Sequence, residues 1–102
     1  MVVGGGSDGA STNTLGEPME IRQTGLTWNV VGDEVVVLDL EKSTYLKLNG
    51  SARVLWEGLS TSSTEVELVA ALAARFGIAE ERAAGDVAEF VSDLRRRDLL
   101  AG

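Results

Sequence analysis

Carboxylates, arginines and hydroxyls are the side chains left to do polar chemistry in this sequence, because it holds no histidine and no cysteine. Their absence removes imidazole and thiolate metal sites, Ser–His and Cys–His nucleophile pairs, disulfides, and the commonest general base at neutral pH. Two close carboxylate pairs remain, Glu80–Glu81 and Asp86–Glu89. Such a pair works as acid and base only in a cleft that drives its pKa values apart. These pairs fall on the polar face of a helical pattern, where they serve as solvated charges. The run Arg95-Arg-Arg97 suits phosphate, but a helix-turn-helix presents the N-terminal end of its recognition helix to DNA. Here that end is Glu80-Glu81. Asp93 stands four residues before Arg97, a surface pair worth about 0.3–0.5 kcal/mol. Gly4-Gly-Gly6 and Gly9 follow no strand and open no helix, so they are not a phosphate loop. No enzyme, metal or cofactor is expected.

The main chain offers another chemistry. Thr44-Tyr-Leu-Lys-Leu48 alternates as a strand, and everything after Asn49 looks helical, so no later strand pairs with it. An unpaired strand edge presents N–H and C=O groups to which an extended peptide can add, with side-chain pockets beside it giving specificity. Lysines commonly blunt such edges, and Lys42 and Lys47 are placed to do so. From the residues alone, a protected edge and a docking edge stand level.

The elements that position this edge follow from the pattern. Residues 1–20, with five of the twelve glycines, several Ser and Thr and few apolar residues, read as a disordered tail before a domain over 21–102. Whether Met19–Gln23 begins the fold is left open. Leu26–Val31 reads as a first strand, Gly32-Asp33 as a turn, and Glu34–Leu40 as a second, more buried strand. Glu41-Lys42-Ser43 turns the chain into the third. Thr44, Leu46 and Leu48 share one face of it; Tyr45 and Lys47 share the other, whose surroundings are undecided. Asn49 caps a first helix with apolar positions Ala52, Leu55, Trp56 and Leu59. Thr64-Glu-Val-Glu67 has the form of a capping box for a second, whose buried stripe is Leu68, Val69, Leu72 and Phe76 and whose stop is Gly77. The third begins near Ala79–Glu81, buries Ala83, Val87, Phe90, Val91 and Leu94, and ends in basic residues that suit the helix dipole. Leu99 and Leu100 fold back onto the core, and Trp28 and Trp56 anchor it. The order βββααα with short connections predicts an α+β domain, a three-stranded antiparallel sheet followed by three helices with a winged helix-turn-helix-like outline.

Composition narrows the partners. Sixteen acidic against nine basic residues give a formal charge of −7, which counts against nucleic acid and against an anionic membrane surface. No basic segment precedes an apolar run of signal-peptide length, and Val35–Leu38 is far too short to span a bilayer, so a cytoplasmic protein is expected.

The stretch Val36-Val-Leu-Asp-Leu-Glu-Lys-Ser-Thr-Tyr-Leu-Lys-Leu-Asn49, then Ala52-Arg-Val-Leu-Trp56, Leu68…Leu72…Phe76 and Asp86-Val…Phe90-Val…Leu94…Asp98-Leu-Leu100 resembles the PqqD-like family over about residues 25–100. Members are precursor-peptide recognition elements for ribosomally made, modified peptides. The resemblance implies that a precursor leader adds as a strand to the third strand, in a groove closed by the third helix. Carried onto this chain, the leader would meet Thr44, Tyr45, Leu46 and Lys47, with Val87, Phe90, Val91 and Leu94 as the groove wall and Ala83 near one end. Where members serving pyrroloquinoline quinone synthesis, with a radical enzyme, usually carry a Pro-Glu, this chain has Leu38-Asp-Leu-Glu-Lys-Ser43. It is more similar to the stand-alone recognition proteins of lasso-peptide clusters. That likeness implies two partners beyond the leader: a leader peptidase of transglutaminase-like fold and an ATP-dependent macrocyclase.

Overall fold

A computed structural model describes residues 16–101, so most of the expected tail lies outside the described residues. Three strands, β1 (Leu26–Val31), β2 (Glu34–Asp39) and β3 (Thr44–Leu48), precede three helices, α1 (Gly50–Ser60), α2 (Glu65–Phe76) and α3 (Glu80–Arg96). The sheet is antiparallel in the order β1-β2-β3, as the short connections predicted. Gly32 takes φ 61° at the first position of the two-residue β1–β2 turn, the conformation that suits the twist of a tight hairpin.

Register puts Leu26, Trp28, Val35, Val37, Asp39, Thr44, Leu46 and Leu48 on one face of the sheet. Val35, Val37 and Leu48 are buried there against Leu55, Trp56 and Leu59 of α1. Trp28 meets Trp56 edge to face, with ring centroids 6.1 Å apart. The second layer is α2 against α3, which bury Leu68, Leu72, Ala83, Val87, Val91 and Leu94. Only α1 reaches the strands: no Cα of α2 or α3 comes within 8 Å of a Cα in any of them.

The helix boundaries have local causes. Thr64 Oγ1 accepts from the Glu67 N–H at 3.1 Å, and the Glu67 carboxylate accepts from the Thr64 N–H at 2.9 Å, completing the expected capping box. Gly77 ends α2 in the left-handed region at φ 62°. Two expectations change. Asn49 precedes α1, yet its side chain makes no cap hydrogen bond. Phe76 is 44% exposed, because α2's buried stripe ends at Leu72.

The fold also begins earlier than Ile21. Met19 exchanges backbone hydrogen bonds with Ser63 (2.7 and 2.9 Å), and Ile21 N–H donates to the Leu59 carbonyl. Both side chains are buried. Leu99 and Leu100 return to the core as expected, and the Arg22 N–H donates to the Leu99 carbonyl at 2.8 Å.

Candidate functional site

Among the described residues two edges of the sheet are open, β1 and β3. On an antiparallel strand, successive residues turn their N–H and C=O alternately toward each side. The β1–β2 hairpin closes on the pair Val31–Glu34, and the Leu40 N–H donates to the Gly25 carbonyl at the far end. This phase commits Glu34, Val36 and Leu38 to β1. Val35, Val37 and Asp39 are therefore committed to β3, through Leu48, Leu46 and Thr44. Tyr45 and Lys47 are left with both main-chain polar groups pointing off the sheet. A strand laid beside β3 meets four unpaired groups, two donors and two acceptors.

Helix α3 stands back from that edge: no Cα of α3 lies within 8 Å of a Cα of β3. A neighbouring strand needs 4.7–4.9 Å from its partner, and layers of secondary structure pack about 10 Å apart.

Two cavities follow the gap. The first, about 240 Å3, is lined by Val37, Asp39, Lys42, Thr44, Tyr45, Leu46, Arg97 and Leu99. The second, about 750 Å3, runs between the start of α1 (Ser51, Ala52, Leu55) and the α3 stripe Arg82, Asp86, Glu89, Phe90, Asp93 and Arg96. Arg97 lines the first and its neighbour Arg96 the second; β3 borders the first, and the second lies between α1 and α3.

Of the candidate residues, Thr44, Tyr45 and Leu46 border the first cavity, and Lys47 stands exposed on the edge. Tyr45 has its side chain on the outer face, across from Leu38, and is 65% exposed. The residues expected as a groove wall on α3 are placed as follows. Ala83, Val87, Val91 and Leu94 are buried in the core, and only half-buried Phe90 reaches the groove. The α3 lining of the second cavity is the neighbouring stripe, 82-86-89-90-93-96, which is mostly charged. The strongest apolar stripe of an amphipathic helix belongs to the domain's own core, and the face beside it meets the groove.

The closed end of the groove holds groups that the sequence reading passed over. Asp39 is buried at the end of β2, and its Oδ1 accepts from Arg22 Nη2 (3.0 Å) and from the N–H groups of Glu41 (3.0 Å) and Lys42 (3.2 Å). Burial opposes its charge, but the Lys42 N–H, the Arg22 guanidinium and the Glu41 N–H outweigh it and hold the carboxyl below the usual carboxylate range. Arg22 also donates to the carbonyls of Thr24 (2.9 Å) and Asp98 (2.5 Å), tying the chain after α3 to the β2–β3 turn. Above it, Lys42 Nζ donates to the Arg97 carbonyl at 2.9 Å. An Asp at the first position of a turn is a local signal for the Asp39 contacts; Arg22 carries none.

Asp93 accepts from Arg96 and from Arg97 Nε (2.9 Å), and these bonds, Arg96's first, lower its pKa against a smaller effect of burial. Two of the three clustered arginines are thus occupied. Among the described residues no group of three or more acidic side chains is placed to hold a metal, and no helix is long and apolar enough to cross a membrane.

The family described as Coenzyme PQQ synthesis protein D (PqqD) matches residues 34–100. A solved structure, "TbiB1 in Complex with the TbiA(beta) Leader Peptide", superposes with a TM-score of 0.75 at 27% identity, covering 82% of this chain and 96% of that one. No curated protein matches the sequence.

Proposed function

The chain belongs to the PqqD family, and from that premise we propose that it is a non-catalytic adaptor that captures the leader of a precursor peptide as a fourth strand on β3. One observation carries the reading: Tyr45 and Lys47 turn their free main-chain groups toward a gap that no backbone of α3 fills. Four new hydrogen bonds, at roughly 0.5–1.5 kcal/mol net each, supply sequence-tolerant affinity. Leader side chains that alternate inward enter the groove and add selectivity; those that alternate outward lie beside Tyr45 and Leu38. The likeness to a structure solved with a leader peptide supports the same reading.

The adaptor would then present its cargo to processing enzymes. The Asp39–Asn49 form supports a lasso-peptide pathway, with a leader peptidase of transglutaminase-like fold and a macrocyclase as the enzymes served. The family's description favours pyrroloquinoline quinone synthesis as the second reading, which a precursor from that pathway tests directly. Arg96 and Arg97 are held by Asp93, which supports a peptide rather than a nucleic acid as ligand.

A proline scan along β3 provides the test, read by fluorescence polarisation of a labelled leader from the precursor gene nearest this chain's own. Proline at 45 or 47 deletes an outward N–H and leaves the β2–β3 ladder intact, as edge positions tolerate. Folded Tyr45→Pro and Lys47→Pro proteins are expected to lose leader binding. Unchanged affinity in both would rule out strand addition at β3.

A further inference from the structure

The two cavities, at the Thr44 end of β3 and at the Ser51 end of α1, are built differently. At the Thr44 end the cavity is small and mainly apolar, with Val37, Leu46 and Leu99 among its walls. Its opposite sides belong to segments far apart in sequence, the β2–β3 turn and the chain leaving α3. Two cationic side chains join them. Arg22 lies beneath, nearly buried, bonded to the Asp39 carboxylate on one side and the Asp98 carbonyl on the other. Lys42 lies across the exposed rim, bonded to the Arg97 carbonyl.

At the Ser51 end the cavity is about three times larger, 750 against 240 Å3. No hydrogen bond or ion pair joins α1 to α3 there among the described residues, and most of its lining side chains on α3 are charged and partly solvated. A pocket with fixed walls discriminates by shape, because a side chain that does not fill it forfeits contacts and one too large must move the walls. An open, solvated trough discriminates little.

We propose that the Thr44 end is the reading end of the groove, where Lys42 acts as a positioning residue that holds the Arg97–Leu99 wall at fixed distance from β3, so that one apolar side chain of the bound strand is selected there. This rests on the strand-addition reading. Lys42 makes no contribution to the edge hydrogen bonds of Tyr45 and Lys47. Its effect comes from pre-organising the pocket, which reduces what ordering costs on binding.

The test uses the full chain and a phage-displayed library of random linear peptides, so the natural leader need not be known. Selected peptides are expected to share one strongly apolar position. A nitroxide placed next to it should broaden the amide signals of Thr44 and Leu99 and spare those of Ser51 and Ala52. Lys42→Met keeps the apolar stem and removes the donor. It should weaken the selected peptide roughly three- to tenfold and spread the preference at the apolar position, with melting temperature unchanged. Lys42→Arg should restore both. A consensus located at the Ser51 end, or a Lys42→Met protein with undiminished affinity and selectivity, overturns the proposal and leaves strand addition standing. Selected peptides that bind Tyr45→Pro and Lys47→Pro as well as the parent overturn both.

Discussion

At the residue scale, the molecule turns on a few polar groups whose partners are far away in sequence. Asp39 and Arg22 meet under the closed end of the groove, where neutralising Asp39 leaves a nearly buried guanidinium with only the more distant Glu41 carboxylate, at 3.7 Å, as its anionic partner. Asp39→Asn is therefore expected to lower the melting temperature at neutral pH. The sign of its pH dependence follows from the lowered pKa. A carboxyl whose folded pKa lies below its unfolded value of about 3.9 contributes fully above that value and loses the contribution as pH falls through the folded pKa. Melting temperatures of the parent should drop as pH falls below about 4, and the Asn variant should show a shallower acid limb. Glu67 and Asp93, also lowered, act in the same direction and remain in the variant, so the limb flattens without vanishing. An identical acid limb in the two proteins would contradict the account of Asp39.

At the element scale, each helix is held by a different device. For α2 it is the capping box: Thr64→Ala removes an acceptor at the N-cap and should cost about 1 kcal/mol in denaturant unfolding, with the groove unaffected. For α1 it is burial of Trp56, fully enclosed between the sheet and the helical layer. Trp56→Ala should cost about 3–5 kcal/mol, a large share of what a domain this small has to spare. Sequence periodicity was enough to place all six elements, because strands with period two and helices with period near 3.6 alternate cleanly between Leu26 and Arg96. It was not enough to divide the faces of α3. Ala83, Val87, Val91 and Leu94 form the most apolar stripe and lie in the core, and the charged stripe beside it lines the cavity facing α1. Spacing says which residues share a face; only packing against α2 says where that face points. For the same reason the outward position of Tyr45 needed the β2 register, and the early start of the fold at Met19 needed its pairing with Ser63.

At the scale of the whole molecule, α1 is the helix whose backbone approaches the strands, and no Cα of α3 lies within 8 Å of a Cα of β3. A three-stranded sheet with its second layer stepped away from one edge is an incomplete structure that a fourth strand completes. Among the described residues β1 presents an open edge as well, but the cavity lined by Thr44, Tyr45 and Leu46 lies beside β3. Residue-resolved amide hydrogen exchange, measured with and without the leader peptide, tests this most directly. Thr44, Leu46 and Leu48 already bond to β2, whereas the Tyr45 and Lys47 amides face out. The account predicts a marked rise in protection at Tyr45 and Lys47 on binding, with little further change at their three neighbours. Protection gained at β1 or on the helices, with Tyr45 and Lys47 exchanging as fast as before, would contradict it.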